Sequence, residues 1–72
     1  MITLARIQKA IDKAGIPLEM VRGEGYQYFN YSQNGAFESV SVYVCYLKDL
    51  SIAEWVEEAH AAHNKIQDWL SI

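Results

Sequence analysis

Two glycine-containing turns constrain this chain more than any other feature of its sequence. Asn34-Gly35 lies between the runs YQYFNY and SVSVYVCY, and Glu24-Gly25 lies between PLEMVR and YQYFNY. Asn-Gly favours a tight two-residue hairpin turn because both central residues take positive φ, and Glu24-Gly25 can act similarly. The flanking runs are rich in the β-branched and aromatic residues that are typical of strands. The sequence therefore predicts a three-stranded antiparallel meander.

Amphipathic helices are predicted on both sides of the meander. In TLARIQKAIDKAGIP the apolar residues recur at helical spacing, Thr3 can cap the start, and Gly15 followed by Pro17 ends the helix. In LSIAEW, Ser51 and Glu54 have the spacing of a capping box, and the apolar stripe that follows predicts a helix of about 19 residues. The stripe consists of Ile52, Trp55, Val56, Ala59, His63, Ile66 and Leu70.

The predicted fold class is α+β, a single two-layer α-β-β-β-α domain over residues 1–72 with both helices on one sheet face. Nothing is left in the chain to cover the other face of the sheet. A single core in a chain this short supplies roughly 3–5 kcal/mol of net stability, so a partner would help to hold the fold. Trp69, Leu70 and Ile72 should extend past the sheet and pack on the first helix or on another chain.

The lengths of the two turns decide which residues share a face of the sheet. Two-residue turns place Phe29 opposite both Val40 and Met20, and Tyr28 opposite Ser41. A three- or five-residue turn would exchange the faces, because a one-residue slip moves every side chain to the other side. The predicted core side carries Leu18, Met20, Phe29, Tyr31, Val40, Val42 and Val44. The predicted open face carries Glu19, Val21, Tyr26, Tyr28, Asn30, Ser39, Ser41, Tyr43 and Cys45.

Tyrosines form the predicted binding feature of the open face, with Tyr26 opposite Tyr43 and Tyr28 on the middle strand. Tyrosine suits interfaces because it combines a large contact area with a hydrogen-bonding tip and few rotatable bonds. The alternative is that these rings only form cross-strand pairs on a half-exposed sheet. The predicted partner-binding residues are Val21, Tyr26, Tyr28, Asn30, Ser41 and Tyr43.

Catalytic and metal-binding motifs are not predicted by the sequence. Glu57, His60 and His63 are spaced three apart, which brings neighbouring side chains together on one helix, but this is a weak signal because the zinc-protease order His-Glu-x-x-His does not occur. The GEG segment joins two strands and precedes no helix, so it is not a phosphate-binding loop. Both histidines lie on one helix beside acidic residues, which leaves no serine with a plausible triad. We therefore expect no enzyme activity, no catalytic residue, no cofactor and no metal.

Composition indicates one soluble globular domain, since the 72 residues are 51% hydrophobic and carry a net charge of -3. No apolar run approaches the ~20 residues of a membrane-spanning helix. Cys45 is the single cysteine and cannot form an internal disulfide, which suits a reducing compartment, so we expect a cytoplasmic protein. From Phe29 onward, two lysines stand against six acidic residues. This balance argues against nucleic acid, although single strands stacking on the tyrosines remain an alternative.

The segments IPLEMVRGEGYQYFNY, SVSVYV and LSIAEW together resemble short uncharacterised proteins of bacteriophages and prophages. The positions that carry the resemblance are Gly23, Gly25, Tyr26, Tyr28, Phe29, Ser41, Val42, Tyr43, Val44 and Trp55. Most are turn or packing positions, so no catalytic role transfers. The resemblance implies an accessory protein that acts by binding, for example as a stoichiometric inhibitor of a host enzyme or defence system. We expect a protein-binding module; the alternative is a homodimeric structural protein that buries its open face against itself.

Overall fold

The chain folds into a helix, three strands and a second helix in the computed structural model, which describes residues 1–71. The elements are α1 (Leu4–Lys13), β1 (Glu19–Arg22), β2 (Gln27–Gln33), β3 (Ala36–Val42), a 3₁₀ turn (Leu47–Asp49) and α2 (Ile52–Leu70). The strands pair antiparallel in the order β1-β2-β3 and leave an open sheet. The predicted α+β fold with α-β-β-β-α order is confirmed.

Both turns have the predicted two-residue length. Asn34 and Gly35 take φ angles of 52° and 81°, as the tight hairpin turn requires. At the other turn only Gly25 has positive φ, at 77°, and the Gly23 N–H donates to the Tyr26 carbonyl over 2.8 Å. The resulting register places Phe29 opposite both Met20 and Val40, as predicted.

Side-chain caps begin both helices where the sequence predicts them. Thr3 Oγ1 accepts a hydrogen bond from the Arg6 N–H over 3.2 Å at the start of α1. At the start of α2, the Glu54 N–H donates to Ser51 Oγ over 3.1 Å, and the Ser51 N–H donates to Glu54 Oε1 over 2.9 Å. These bonds to Ser51 favour the carboxylate and lower the pKa of Glu54 below its ordinary value. The long helix is therefore well determined at its first turn.

The core lies between the helices and one face of the sheet. α1 contacts β1, α2 contacts β2 and β3, and the two helices contact each other. Trp55 is fully buried and its Nε1–H donates to the Leu47 carbonyl over 2.8 Å, which ties the 3₁₀ turn to α2. Ala62 belongs to the buried stripe of α2, whereas the predicted stripe residue Leu70 is exposed. The buried apolar residues are Ile7, Ile11, Ile16, Leu18, Met20, Phe29, Tyr31, Leu47, Trp55, Ala59, Ala62 and Ile66.

The third strand begins and ends earlier in the chain, and is less buried, than its sequence predicts. The predicted core residues Val40, Val42 and Val44 are only half-buried, because β3 lies at the sheet edge and the helices cover it incompletely. β3 ends at Val42, and the Val44 N–H bonds back to the Val42 carbonyl over 2.9 Å. Tyr43 and Cys45 therefore follow the strand rather than belong to it, which corrects the expected pairing of Tyr43 with Tyr26 inside the sheet.

A buried amide explains where the segment after β3 is held. Gln27 is 1% exposed on the core side of β2, and its Nε2 donates to the carbonyls of Val44 and Cys45, each over 3.2 Å. Its Oε1 is buried and has no hydrogen-bond partner within residues 1–71. Gln27 thus binds the chain as it turns from β3 towards α2.

The end of α2 extends beyond the core. Trp69 and Leu70 remain 42% and 41% exposed, and neither belongs to the residues packed in or against the core. The expected packing of these side chains on α1 is therefore not observed, and Ile72 lies outside the described residues.

Candidate functional site

The face of the sheet opposite the helices is open to solvent, since no element formed by residues 1–71 lies over it. The register places Val21, Tyr28 and Ser41 in one row across the three strands. Asn30 follows on β2, between Glu19 on β1 and Ser39 on β3. Tyr28 thus lies on the middle strand with a small or medium-sized side chain on each side, as the sequence predicts.

The three predicted tyrosines come together as one cluster, which we call the tyrosine cluster: Tyr26, Tyr28 and Tyr43. The ring centroids of Tyr26 and Tyr28 lie 5.9 Å apart with planes inclined by 31°, and those of Tyr26 and Tyr43 lie 6.2 Å apart with an inclination of 35°. Such tilted contacts are in the range that favours aromatic pairs. Tyr26, and not Tyr28, is therefore the middle ring of the cluster.

Gly23 explains how the Tyr26 ring reaches that position. Tyr26 lies in the bend before β2, and its ring rests over Gly23, the residue that follows β1. A Cβ atom at Gly23 would lie 2.8 Å from Tyr26 Cζ and 2.9 Å from Cε1, which is closer than carbon atoms approach one another. A glycine at this position thus lets the ring lie flat against the backbone.

Exposure differs sharply across the face. Val21, Tyr26, Tyr28 and Asn30 are half-buried by their neighbours, whereas Ser41 is exposed and Tyr43 is 86% exposed. The rings therefore form a graded surface, packed at the sheet and projecting at Tyr43.

Phe37 is an exposed apolar residue that the sequence reasoning missed. It is 64% exposed on β3, opposite Ser32 and in step with Ser39 and Ser41 along the open face. The alternation of these three positions carries the signal, but the strand had been expected to begin at Ser39. Phe37 therefore extends the aromatic surface to the end of β3 distant from Tyr43.

Charge is nearly absent from the open face. Among its residues on β1, β2 and β3, Glu19 is the charged side chain, and neither a lysine nor an arginine stands among them. Nucleic-acid backbones bind to positive surfaces, so the described part of this face lacks the electrostatic complement that a phosphate chain needs. The face instead offers rings, an amide and hydroxyl groups.

The histidines of α2 lie elsewhere, beside the core. His63 is half-buried with its ring centroid 6.2 Å from that of Tyr31, and its Nε2 lies 3.2 Å from Gln67 Nε2. His60 is exposed. Within residues 1–71, no three side chains of His, Cys, Asp or Glu come together as a potential metal site. His63 therefore packs as a flanking residue of the core.

Cys45 was expected inside a strand, and the structure corrects this expectation. It lies in the bend after β3 with an exposed side chain.

None of the helices in residues 1–71 is long and apolar enough to cross a membrane.

Comparison with protein-family models, curated proteins and solved structures finds no match. The interpretation of the open face therefore rests on its own geometry and chemistry.

Proposed function

We propose that the protein is a non-enzymatic protein-binding module that recognises its partner through the open face. The observation that supports this most is the tyrosine cluster, in which Tyr26 lies about 6 Å from each of the other two rings on a sheet face that no other element of residues 1–71 covers. Tyrosines concentrate binding energy because they bury large area, donate a hydrogen bond and lose little side-chain entropy.

The chemistry of the face favours a protein partner over a nucleic acid. A surface with tyrosines, Asn30 and Ser41 but no basic residue among the strand positions suits a flat, neutral protein surface. Stacking alone would leave a phosphate backbone facing Glu19 and a chain of net charge -3. Nucleic acid is therefore the less supported ligand.

The expected contact is larger than the three strands alone. Three strands about 4.8 Å apart, of four, seven and seven residues at about 3.3 Å each, present roughly 290 Å², whereas a stable interface buries about 800 Å² on each partner. The partner should therefore also contact residues outside the three strands, among them the exposed Tyr43, which follows β3. The tyrosine cluster would then lie inside the contact, where hot spots concentrate.

The resemblance to small phage and prophage proteins supports a more specific proposal. We propose that the partner is a host protein whose activity this module modulates or inhibits by occupying its surface. A cytoplasmic location accords with this role and with the single exposed thiol of Cys45. The alternative is a structural homodimer in which two open faces bury each other.

Capture of the partner with matched variants tests the proposal. The wild-type protein, Tyr28→Ala and Trp69→Ala would be immobilised and exposed to lysate of a bacterial host. Trp69 is an exposed aromatic residue at the end of α2, outside the open face, so its variant controls for general loss of aromatic surface. We expect a partner that the wild type and Trp69→Ala retain and Tyr28→Ala loses.

Calorimetry with the purified partner then measures the effect. Tyr28→Ala should raise Kd by about 30-fold or more, the equivalent of the roughly 2 kcal/mol that a hot-spot residue contributes. Equal affinity of Tyr28→Ala and wild type would refute recognition through the open face. A dimer by light scattering at all concentrations, dissociated by Tyr28→Ala, would favour the homodimer alternative.

A further inference from the structure

The two edges of the sheet differ, and the β1 edge reveals the hydrogen-bonding pattern of the whole sheet. Gln8 of α1 donates from Nε2 to the Leu18 carbonyl over 2.9 Å and accepts the Met20 N–H at Oε1 over 2.8 Å. The main-chain groups of Met20 therefore point away from β2. Met20 faces Phe29, so this pair exchanges no main-chain bonds, and Phe29 directs its own groups towards β3.

The same alternation determines which groups of β3 point outward. Phe29 is paired with Val40, so Val40 directs its N–H and C=O inward to β2. Phe37, Ser39 and Ser41 alternate with Val40 and direct theirs to the outer edge. Within residues 1–71, no strand pairs with that edge. β3 thus presents a seven-residue strand with outward N–H and C=O groups, which is a template for pairing with another chain.

A groove of about 260 Å³ follows this outer edge. Residues 40–43 form one wall, and the other wall is a single stripe of α2: Glu58, Ala61, Ala62 and Lys65. Glu58 and Lys65 are seven residues apart, two helical turns, so both point to the same side of the helix. Along α2 the edge is therefore bordered by Glu58, two alanines and Lys65. Reversed in a second copy, this order complements itself.

We propose that this edge pairs with the same edge of a second copy, forming an antiparallel β3–β3 contact about a two-fold axis at Val40. This register places Ser39 opposite Ser41 of the second copy, so that their outward N–H and C=O groups bond in both directions. The same register brings Tyr43, just past the end of β3, next to Phe37 of the second copy, so that the two most exposed rings of the open face meet. The two sheets become one continuous sheet.

The helices agree with the same axis. A two-fold axis makes the two α2 helices antiparallel, and Glu58 and Lys65 are equally distant from the point between Ala61 and Ala62. Glu58 therefore lies opposite Lys65 of the second copy, and the small, exposed side chain of Ala61 lies at the point of closest approach. α2 contacts both β2 and β3. With the helix axis of α2 midway between these strands, the α2 axes of the two copies would lie about 10 Å apart. That separation is the one at which helices pack.

Self-complementarity identifies the occupant of the groove as a second copy. In an isologous interface, one two-fold rotation must bring each group of one copy next to a complementary group of the other copy. Here the exposed rings of Phe37 and Tyr43 are symmetric about Val40 along the chain. The opposite charges that line the groove are symmetric about Ala61 and Ala62. A strand from an unrelated protein would require neither coincidence. The contact would also join two open faces into one of roughly twice the area, which goes beyond the binding function proposed above.

Charge reversal tests the helix part of the contact. Sedimentation velocity should detect a wild-type dimer whose dissociation constant rises about tenfold or more in Glu58→Lys and in Lys65→Glu, because each change makes two attractive pairs repulsive. An equimolar mixture of these two variants should form a heterodimer, since the reversed charges then complement each other. Glu57→Lys makes the same charge change outside the groove and should dimerise like the wild type.

Amide hydrogen exchange tests the strand part without any substitution. With rising protein concentration, the amides of Ser39 and Ser41 should become protected, whereas that of Val40 is protected in the monomer already because it bonds to β2. A monomer at every concentration would overturn the proposal. A dimer in which the amides of Ser39 and Ser41 stay unprotected would also overturn it. So would a dimer whose dissociation constant is unchanged in Glu58→Lys and in Lys65→Glu.

The test separates this proposal from the proposed function. Tyr28 lies on the middle strand, one strand away from the outer edge of the sheet, so Tyr28→Ala should leave the edge dimer intact. A dimer that Tyr28→Ala dissociates and Glu58→Lys does not would be a face-to-face dimer and would overturn the edge contact. Loss of partner binding in Tyr28→Ala with an intact dimer would support both proposals.

Discussion

Replacing Gln8 with alanine should reveal how much a single side chain contributes to closing the β1 edge. The amide of Gln8 makes two hydrogen bonds to the main chain of the strand, at 2.9 Å to the Leu18 carbonyl and 2.8 Å to the Met20 N–H. Its Nε2 also donates to Asp12 Oδ1 over 2.9 Å, but that bond is exposed. The two strand bonds are partly buried, so their loss is the larger effect.

The magnitude follows from these bonds. Each should contribute about 1 kcal/mol net, and alanine recovers a few tenths of a kcal/mol through its higher helix propensity. We therefore expect Gln8→Ala to lower the free energy of unfolding by about 1.5–2 kcal/mol. A domain of this size loses about 4–8 °C of melting temperature for each kcal/mol of lost stability, so the melting temperature should fall by about 6–16 °C.

Urea unfolding monitored by the fluorescence of the buried Trp55 measures this difference. Gln8→Met separates hydrogen bonding from packing, since methionine keeps the length and helix propensity of glutamine but cannot donate to Leu18. Lys9→Ala, on the exposed side of the same helix, is the control and should unfold like the wild type. If the free energy of unfolding of Gln8→Ala or Gln8→Met differs from that of the wild type by less than about 0.5 kcal/mol, the contribution assigned to the strand bonds is refuted.

Three further predictions concern other parts of the fold. Phe29→Ala should cost about 3–5 kcal/mol in urea unfolding because Phe29 is fully buried, and Tyr28→Ala clearly less; equal losses would contradict the assignment of the faces. The pKa of Glu54 is lowered from 4.5 on folding, so its capping interaction stabilises the folded state above pH 4.5. That stabilisation is lost as the pH falls through the pKa of the folded state. The stability difference between wild type and Glu54→Ala should therefore narrow in acid, and a constant difference down to low pH would argue against the cap. Trp69→Ala should change the free energy of unfolding by less than about 0.5 kcal/mol, because this exposed ring lies outside the core. A larger loss of stability in thermal melts would contradict its placement outside the core.

The strand register and the helix starts were predictable because local chemistry determines them. Asn34-Gly35 and Glu24-Gly25 each allow a two-residue turn, and a fixed turn length sets every pair along the adjoining strands. Ser51 likewise begins α2 through bonds that span three residues. In each case the interacting groups are close in sequence, so the sequence contains the whole interaction.

Features that depend on distant contacts were not predictable in this way. Gln8 bonds to a strand ten and twelve residues away, yet on the helix pattern it is one polar position among several. Gln27 stands at a core position because two carbonyls of the segment after β3 accept its amide hydrogens. Hydrophobic periodicity does not register either bond. The end of β3 at Val42 and the middle position of Tyr26 depend on the same folded arrangement.

The asymmetry between the two sheet edges also limits how far the protein can assemble. Because the Gln8 amide binds the Leu18 carbonyl and the Met20 N–H on the β1 edge, β3 is the more open edge for strand pairing within residues 1–71. Pairing of β3 with β3 uses up that edge in both molecules, so growth would stop at two copies. Reopening the β1 edge would allow unlike edges to join head to tail, which is the geometry of a fibre. Gln8 would then act as the residue that keeps a finite assembly from becoming an endless one.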